Sequence, residues 1–114
     1  MATQELLVFD IKDFRGKRVV FTKEKLAKKR VDHPELDLIE FLRAVKVAIQ
    51  DPIEVWPDAF EKEKECYYGK YREGTYAKVV VYMSHNRQSP SRVVSAYEID
   101  KIKETKYKNV KRVF

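Results

Sequence analysis

His33 and His85 are the two histidines of this 114-residue chain, and histidine is the side chain that as a type exchanges protons near neutral pH. His33 stands in Asp32-His33-Pro34, directly after the basic run Lys23-Glu24-Lys25-Leu26-Ala27-Lys28-Lys29-Arg30. An imidazole beside lysine and arginine suits RNA cleavage without a metal. A base takes the 2′-hydroxyl proton, an acid protonates the leaving 5′-oxygen, and cations hold the extra negative charge of the transition state. On that reading His33 carries the proton, and Lys28 and Arg30 hold phosphate. A structural role is equally open, because a histidine before proline can cap the helix that follows. His85, in Ser84-His85-Asn86-Arg87, reads as an exposed loop residue.

Ser95 and Tyr97 lie two apart in a β-prone run, which predicts a common sheet face with Val93 and Ile99. Hydroxyls so placed can bond a phosphate, or they can simply pack and pair with backbone. Tyr68 and Lys70 share a strand face in the same way, offering a ring for base stacking, worth ~1–3 kcal/mol per base, beside a cation. No His-x-x-x-His, paired cysteines or acidic triad is spaced for a metal, and no glycine-rich phosphate loop is present. No cofactor is expected. The single Cys66 rules out an internal disulfide, reads as a buried packing residue, and fits a reducing, cytoplasmic compartment.

The elements that must position these residues follow from pattern. Leu6–Phe9 and Arg18–Phe21 predict a short strand pair turning at Gly16. Thr22 is a predicted N-cap for a short basic helix that Asp32-His33-Pro34 ends. Leu38, Leu42, Val45 and Ile49, widened by Phe41 and Ala48, predict an amphipathic helix from about Glu35 to Gln50. Strands are then predicted at Ile53–Trp56, Glu65–Tyr71, Tyr76–Ser84 and Arg92–Ile99, as an antiparallel meander with Tyr76–Ser84 central. The fold class is α+β, in one domain over 1–114, with 101–114 a basic C-terminal tail or a short helix.

Net charge is +6, unevenly distributed. Residues 12–30 carry nine basic and two acidic side chains, residues 31–66 carry four and ten, and residues 101–114 carry six and one. Clustered cations attract polyanions, although such a face can also be merely solvated. The longest apolar run, Val79–Met83, is too short to span a bilayer, and Met1–Glu5 has no export signature. No membrane partner is expected.

The motifs also come in a specific order: Thr22-x-x-x-Leu26, His33-Pro34-Glu35-Leu36, the amphipathic helix, Asp51-Pro52, Cys66-Tyr67-Tyr68, Val79-Val80-Val81 and Val94-Ser95-Ala96-Tyr97. This order resembles the phage- and mobile-element-associated branch of the barnase–EndoU–colicin–RelE-like (BECR) nuclease superfamily. The resemblance spans roughly residues 5–100. It implies a small metal-independent endoribonuclease, toxin-like or phage-associated, with helices on one sheet face and RNA (tRNA or mRNA) cut on the other. It also implies an antitoxin or immunity protein as a partner. His33, Ser95 and Tyr97 inherit catalytic candidacy from it. The chain has Lys28 where that pattern often has a further histidine, and Asp32 where a basic residue often precedes the histidine. The alternative is a catalytically inactive relative that binds RNA or protein.

Overall fold

The computed structural model describes residues 6–103, 107 and 110–114. Strands β1 (Leu7–Lys12) and β2 (Arg18–Thr22) pair antiparallel, as the two β-prone runs predict. Their turn combines Gly16, at φ +88°, with the Asp13 carboxylate, which accepts the N–H groups of Arg15 (2.8 Å) and Lys17 (2.9 Å). Helix α1 (Lys23–Lys29) starts where the Thr22 hydroxyl accepts the Lys25 N–H at 3.1 Å, the expected cap.

The second helix starts later than its pattern predicts. Pro34–Asp37 forms a separate 3-10 turn, closed by the Leu38 N–H on the Glu35 carbonyl at 2.9 Å. Leu38 is then extended, and α2 runs Ile39–Gln50. The buried face shifts accordingly to Phe41, Ala44, Val45, Ala48 and Ile49, while Leu38 is 37% exposed.

Strands β3 (Glu54–Pro57), β4 (Lys64–Lys70), β5 (Tyr76–Tyr82) and β6 (Ser91–Ile99) follow, each antiparallel to the next. The α+β class and this run of four strands match expectation. The N-terminal pair, however, is not separate from the meander. Val19 and Val20 of β2 pair in parallel with Ser91 and Arg92 of β6, giving one mixed six-stranded sheet in the order β1-β2-β6-β5-β4-β3. A parallel neighbour requires a long crossover, and the helices and strands between β2 and β6 supply it.

Helices and 3-10 turn cover one face. Leu26, Leu36, Phe41, Val45 and Ile49 share a core there with Val19, Phe21, Val79, Val81 and Ala96. Gly69 of β4 lies beneath Ala48: a Cβ at Gly69 would stand 2.9 Å from the Cα and Cβ of Ala48, so glycine sets how closely α2 approaches.

The other face holds a smaller cluster of Cys66, Tyr68 and Tyr107, flanked by Trp56, Val80 and Ile99. The C-terminal stretch expected as a tail or short helix therefore packs back onto the sheet. Tyr107 stacks on Trp56 at 4.9 Å with planes 7° apart, and Val113 and Phe114 hydrogen-bond the backbone of Val55. The remainder of that expectation, residues 104–106 and 108–109, lies outside the described residues. Among the described residues, no helix is long and apolar enough to cross a membrane.

Candidate functional site

A bulge in β6 decides which of its side chains meet. Ser95 stands opposite Val80 and Val93 opposite Val81, so Val94 is one residue more than β5 matches. Val93 consequently turns into the helix-covered core, 2% exposed, while Ser95, Tyr97 and Ile99 keep the other face. The expectation that all four share one face fails at Val93, because strict alternation does not survive an inserted residue.

β2 pairs with β6 only at Ser91 and Arg92. Beyond them the edge of β6 is met by the 3-10 turn, where the Glu35 carboxylate accepts the Glu98 N–H at 2.9 Å. A side chain thus satisfies a strand amide that has no strand neighbour on that side. The same bond pins the segment carrying His33. Its backbone N–H donates to the Lys29 carbonyl at 3.0 Å and its carbonyl accepts from Leu36 at 3.1 Å. The imidazole stacks on Tyr97, with ring centres 4.7 Å apart and planes 18° apart. It makes no capping hydrogen bond to the following turn, so the capping role is not realised. Stacking engages the face of an imidazole and leaves its in-plane nitrogens for proton exchange.

Lys78 completes this grouping. It sits on β5 opposite Tyr97 of β6 and Tyr68 of β4, with Nζ 5.6 Å from the Tyr97 ring centre and 5.9 Å from that of Tyr68. The residue is 7% exposed. It lines a groove of about 470 Å³ together with Tyr97, Glu98, Asp100, Lys101 and Lys103. Lys78 has no ion pair among the described residues; its ammonium lies near two aromatic faces and within electrostatic reach of Asp58, whose carboxyl pKa it helps to lower. Glu98 and Asp100 bring negative charge to the same groove and restrict how an anion can lie in it.

The other predicted contacts lie elsewhere. Lys28 is paired with Glu24 at 3.3 Å and Arg30 with Asp37 at 3.5 Å, both on the surface. Neither lines the groove at Tyr97, and Arg30 borders a separate hollow between α1 and β1. Tyr68 does line the groove but is 1% exposed, with its hydroxyl bonded to that of Tyr107. Burial pushes its phenol pKa well up, and the C-terminal segment covers the ring. Tyr68 is therefore no open platform for a base. Lys70 is exposed at the end of β4, and Ser95 is half-buried two residues from Tyr97; neither lines the groove.

Lys78, Lys101, Lys103 and Glu35 are the residues that reasoning from sequence missed. Lys78 had a visible signal, as the one charged residue within the apolar strand Tyr76–Tyr82. Glu35 had none, because its partner is a backbone amide of a distant strand.

A second titratable cluster joins the β1–β2 turn to β4. Arg15 Nη2 donates to Asp13 (2.8 Å), Glu65 (2.7 Å) and the Tyr67 hydroxyl (2.8 Å), and that hydroxyl donates to Asp13 at 2.7 Å. Burial pushes the Asp13 carboxyl up, but the bonds from Tyr67, Arg15 and two backbone N–H groups outweigh it and hold the pKa below the usual range. Every polar partner here is internal, which marks a structural tie. Cys66 is fully buried, and burial raises its thiol pKa. Among the described residues, no three His, Cys, Asp or Glu side chains gather as a metal site. No family model, curated protein or solved structure matches the chain.

Proposed function

We propose that this chain binds RNA at the Tyr97 groove and cleaves it by metal-independent transesterification. The observation that carries the reading is the His33–Tyr97 stack with the Lys78 ammonium 5.6 Å from the same Tyr97 ring. A phosphodiester in the groove lined by Tyr97 and Lys78 would have to reach His33 across the Tyr97 ring, since the imidazole stacks on that ring and does not itself line the groove. The motif order that resembles the BECR nucleases supports the same chemistry. In this scheme the 2′-oxygen attacks phosphorus while its proton passes to His33. The bond from phosphorus to the 5′-oxygen breaks, and the leaving oxygen takes a proton from the Tyr97 hydroxyl or from water. Lys78, with Lys101 nearby in the groove, stabilises the added negative charge. Ser95 serves as a neighbouring hydroxyl on the same face. The phosphate role first assigned to Lys28 and Arg30 passes to Lys78.

The test is incubation of purified protein with total RNA in EDTA, with cleaved ends mapped. New 2′,3′-cyclic phosphate ends are expected, and their absence over repeated preparations would sink the reading. One observation favours a second reading, RNA binding without cleavage: Lys28, which stands where the family pattern often has another histidine, is tied to Glu24. Salt-sensitive RNA retardation without new ends would select it.

A further inference from the structure

A second basic groove, of about 750 Å³, lies between the β1–β2 turn and the β5–β6 loop. We infer that it binds the phosphate backbone of single-stranded RNA, independently of base sequence. The inference extends the proposed RNA reading and does not depend on cleavage.

Three features of the lining carry it. First, Arg15, Lys17, Arg18, His85 and Arg87 line the groove and no carboxylate does. Arg18 is committed to Asp10, at 2.6 and 2.8 Å, and Arg15 to Asp13 and Glu65, whereas Lys17 and Arg87 have no ion pair among the described residues. Second, the remaining lining side chains are polar, with hydroxyls at Ser84 and Ser89. Lysine, arginine and serine are the usual donors to phosphate oxygens. Nothing apolar or aromatic lines the groove, so it offers neither an anchor pocket for a protein partner nor a ring for a base.

Third, both walls are preorganised. Asp13 fixes the turn through the N–H groups of Arg15 and Lys17. In the facing loop the Ser84 hydroxyl accepts from Asn86 N–H at 3.1 Å and donates to its carbonyl at 3.0 Å, and the Asn86 side chain accepts from Gln88 N–H at 2.9 Å. A cation held on a fixed turn loses less freedom on binding than one on a mobile loop. Ser91, at this end of β6, is six residues from Tyr97, or about 20 Å along the strand. One RNA strand can therefore reach both grooves, within the ~4–16 nucleotides that single-strand sites commonly occupy.

The test is fluorescence anisotropy of a 16-nucleotide RNA of mixed sequence in EDTA, over a salt series, with wild type and the double variant Lys17→Ala/Arg87→Ala. Both substitutions fall on exposed turns, and an unchanged urea midpoint checks the fold. The variant is expected to bind at least tenfold more weakly at low salt. Its log K against log salt slope should be smaller by about 1.4, since each neutralised phosphate contributes about 0.7 for single strands. Wild-type affinity and slope in the variant overturn the inference. Displacement of the RNA by oligoglutamate of equal charge and at equal concentration overturns it too, in favour of an acidic protein segment. RNA held through this groove yet never cut removes the cleavage reading alone. RNA cut normally while the variant binds like wild type removes the groove alone.

Discussion

The imidazole of His33 lies face to face with the phenol ring of Tyr97, although 64 positions of sequence separate them. Glu35 holds them in register by bonding the Glu98 amide, the residue next to Tyr97. If His33 is the proton carrier, His33→Ala should lower the cleavage rate by about 10²–10⁴, the usual range for a positioned acid–base group. The ring makes no capping bond, so the stability lost should be limited to its stack on Tyr97, about 0.5–1.5 kcal/mol in urea titrations. Cleavage equal to wild type, measured as cyclic phosphate ends, would remove His33 from the chemistry.

Lys78 separates packing from charge. Lys78→Met keeps most of the stem between Tyr68 and Tyr97 but deletes the ammonium. The folded state should persist by circular dichroism while turnover drops about 10²–10³-fold, as for loss of one transition-state donor. An equal loss of stability and turnover would instead mark Lys78 as a packing residue.

Asp13 should dominate the acid limb of stability. Its carboxyl pKa is lowered on folding, so its contribution is complete above the unfolded value of about 3.9 and is lost as pH falls through the lower folded value. Asp13→Ala should cost about 3–5 kcal/mol at pH 7, because it leaves Arg15 and Tyr67 without their shared acceptor. Asp13→Asn should give a flatter stability–pH curve below pH 4 in urea titrations. A wild-type curve for that variant would contradict the assignment.

Gly69→Ala should destabilise the fold by about 1–3 kcal/mol, since the new methyl would meet the Cα and Cβ of Ala48 at 2.9 Å. Pairing it with Ala48→Gly should recover part of that loss. Chemical denaturation of the two single variants and the double variant measures the coupling.

Local chemistry made much of the fold legible. The Thr22 cap, the halt at Pro34 and the four later strands each rest on side chains within a few residues. The joining of β2 to β6 was hidden, because it depends on two pairs of residues distant in sequence. The bulge at Val94 was hidden too, since an alternating run reads the same with or without an inserted residue. Within the candidate site, His33 and Tyr97 were readable by type, and their proximity is a product of the sheet. Lys28 and Arg30 drew attention through charge density, which does not reveal that each already faces a carboxylate. Tyr68 looked available because nothing local announced that Tyr107 would cover it.

The short parallel seam between β2 and β6 has a consequence for the newly made chain. Its partners, Val19 and Ser91, are about 70 residues apart, so the loop it closes is among the most entropically costly in the molecule. Contacts of such range form late relative to hairpins and helices. His33 emerges 64 residues before Tyr97, and the Glu98 amide that anchors its segment also belongs to β6. The grouping of imidazole, phenol and Lys78 therefore cannot exist on a nascent chain that stops short of β6. During translation, any chemistry of this groove waits until β6 itself has left the ribosome.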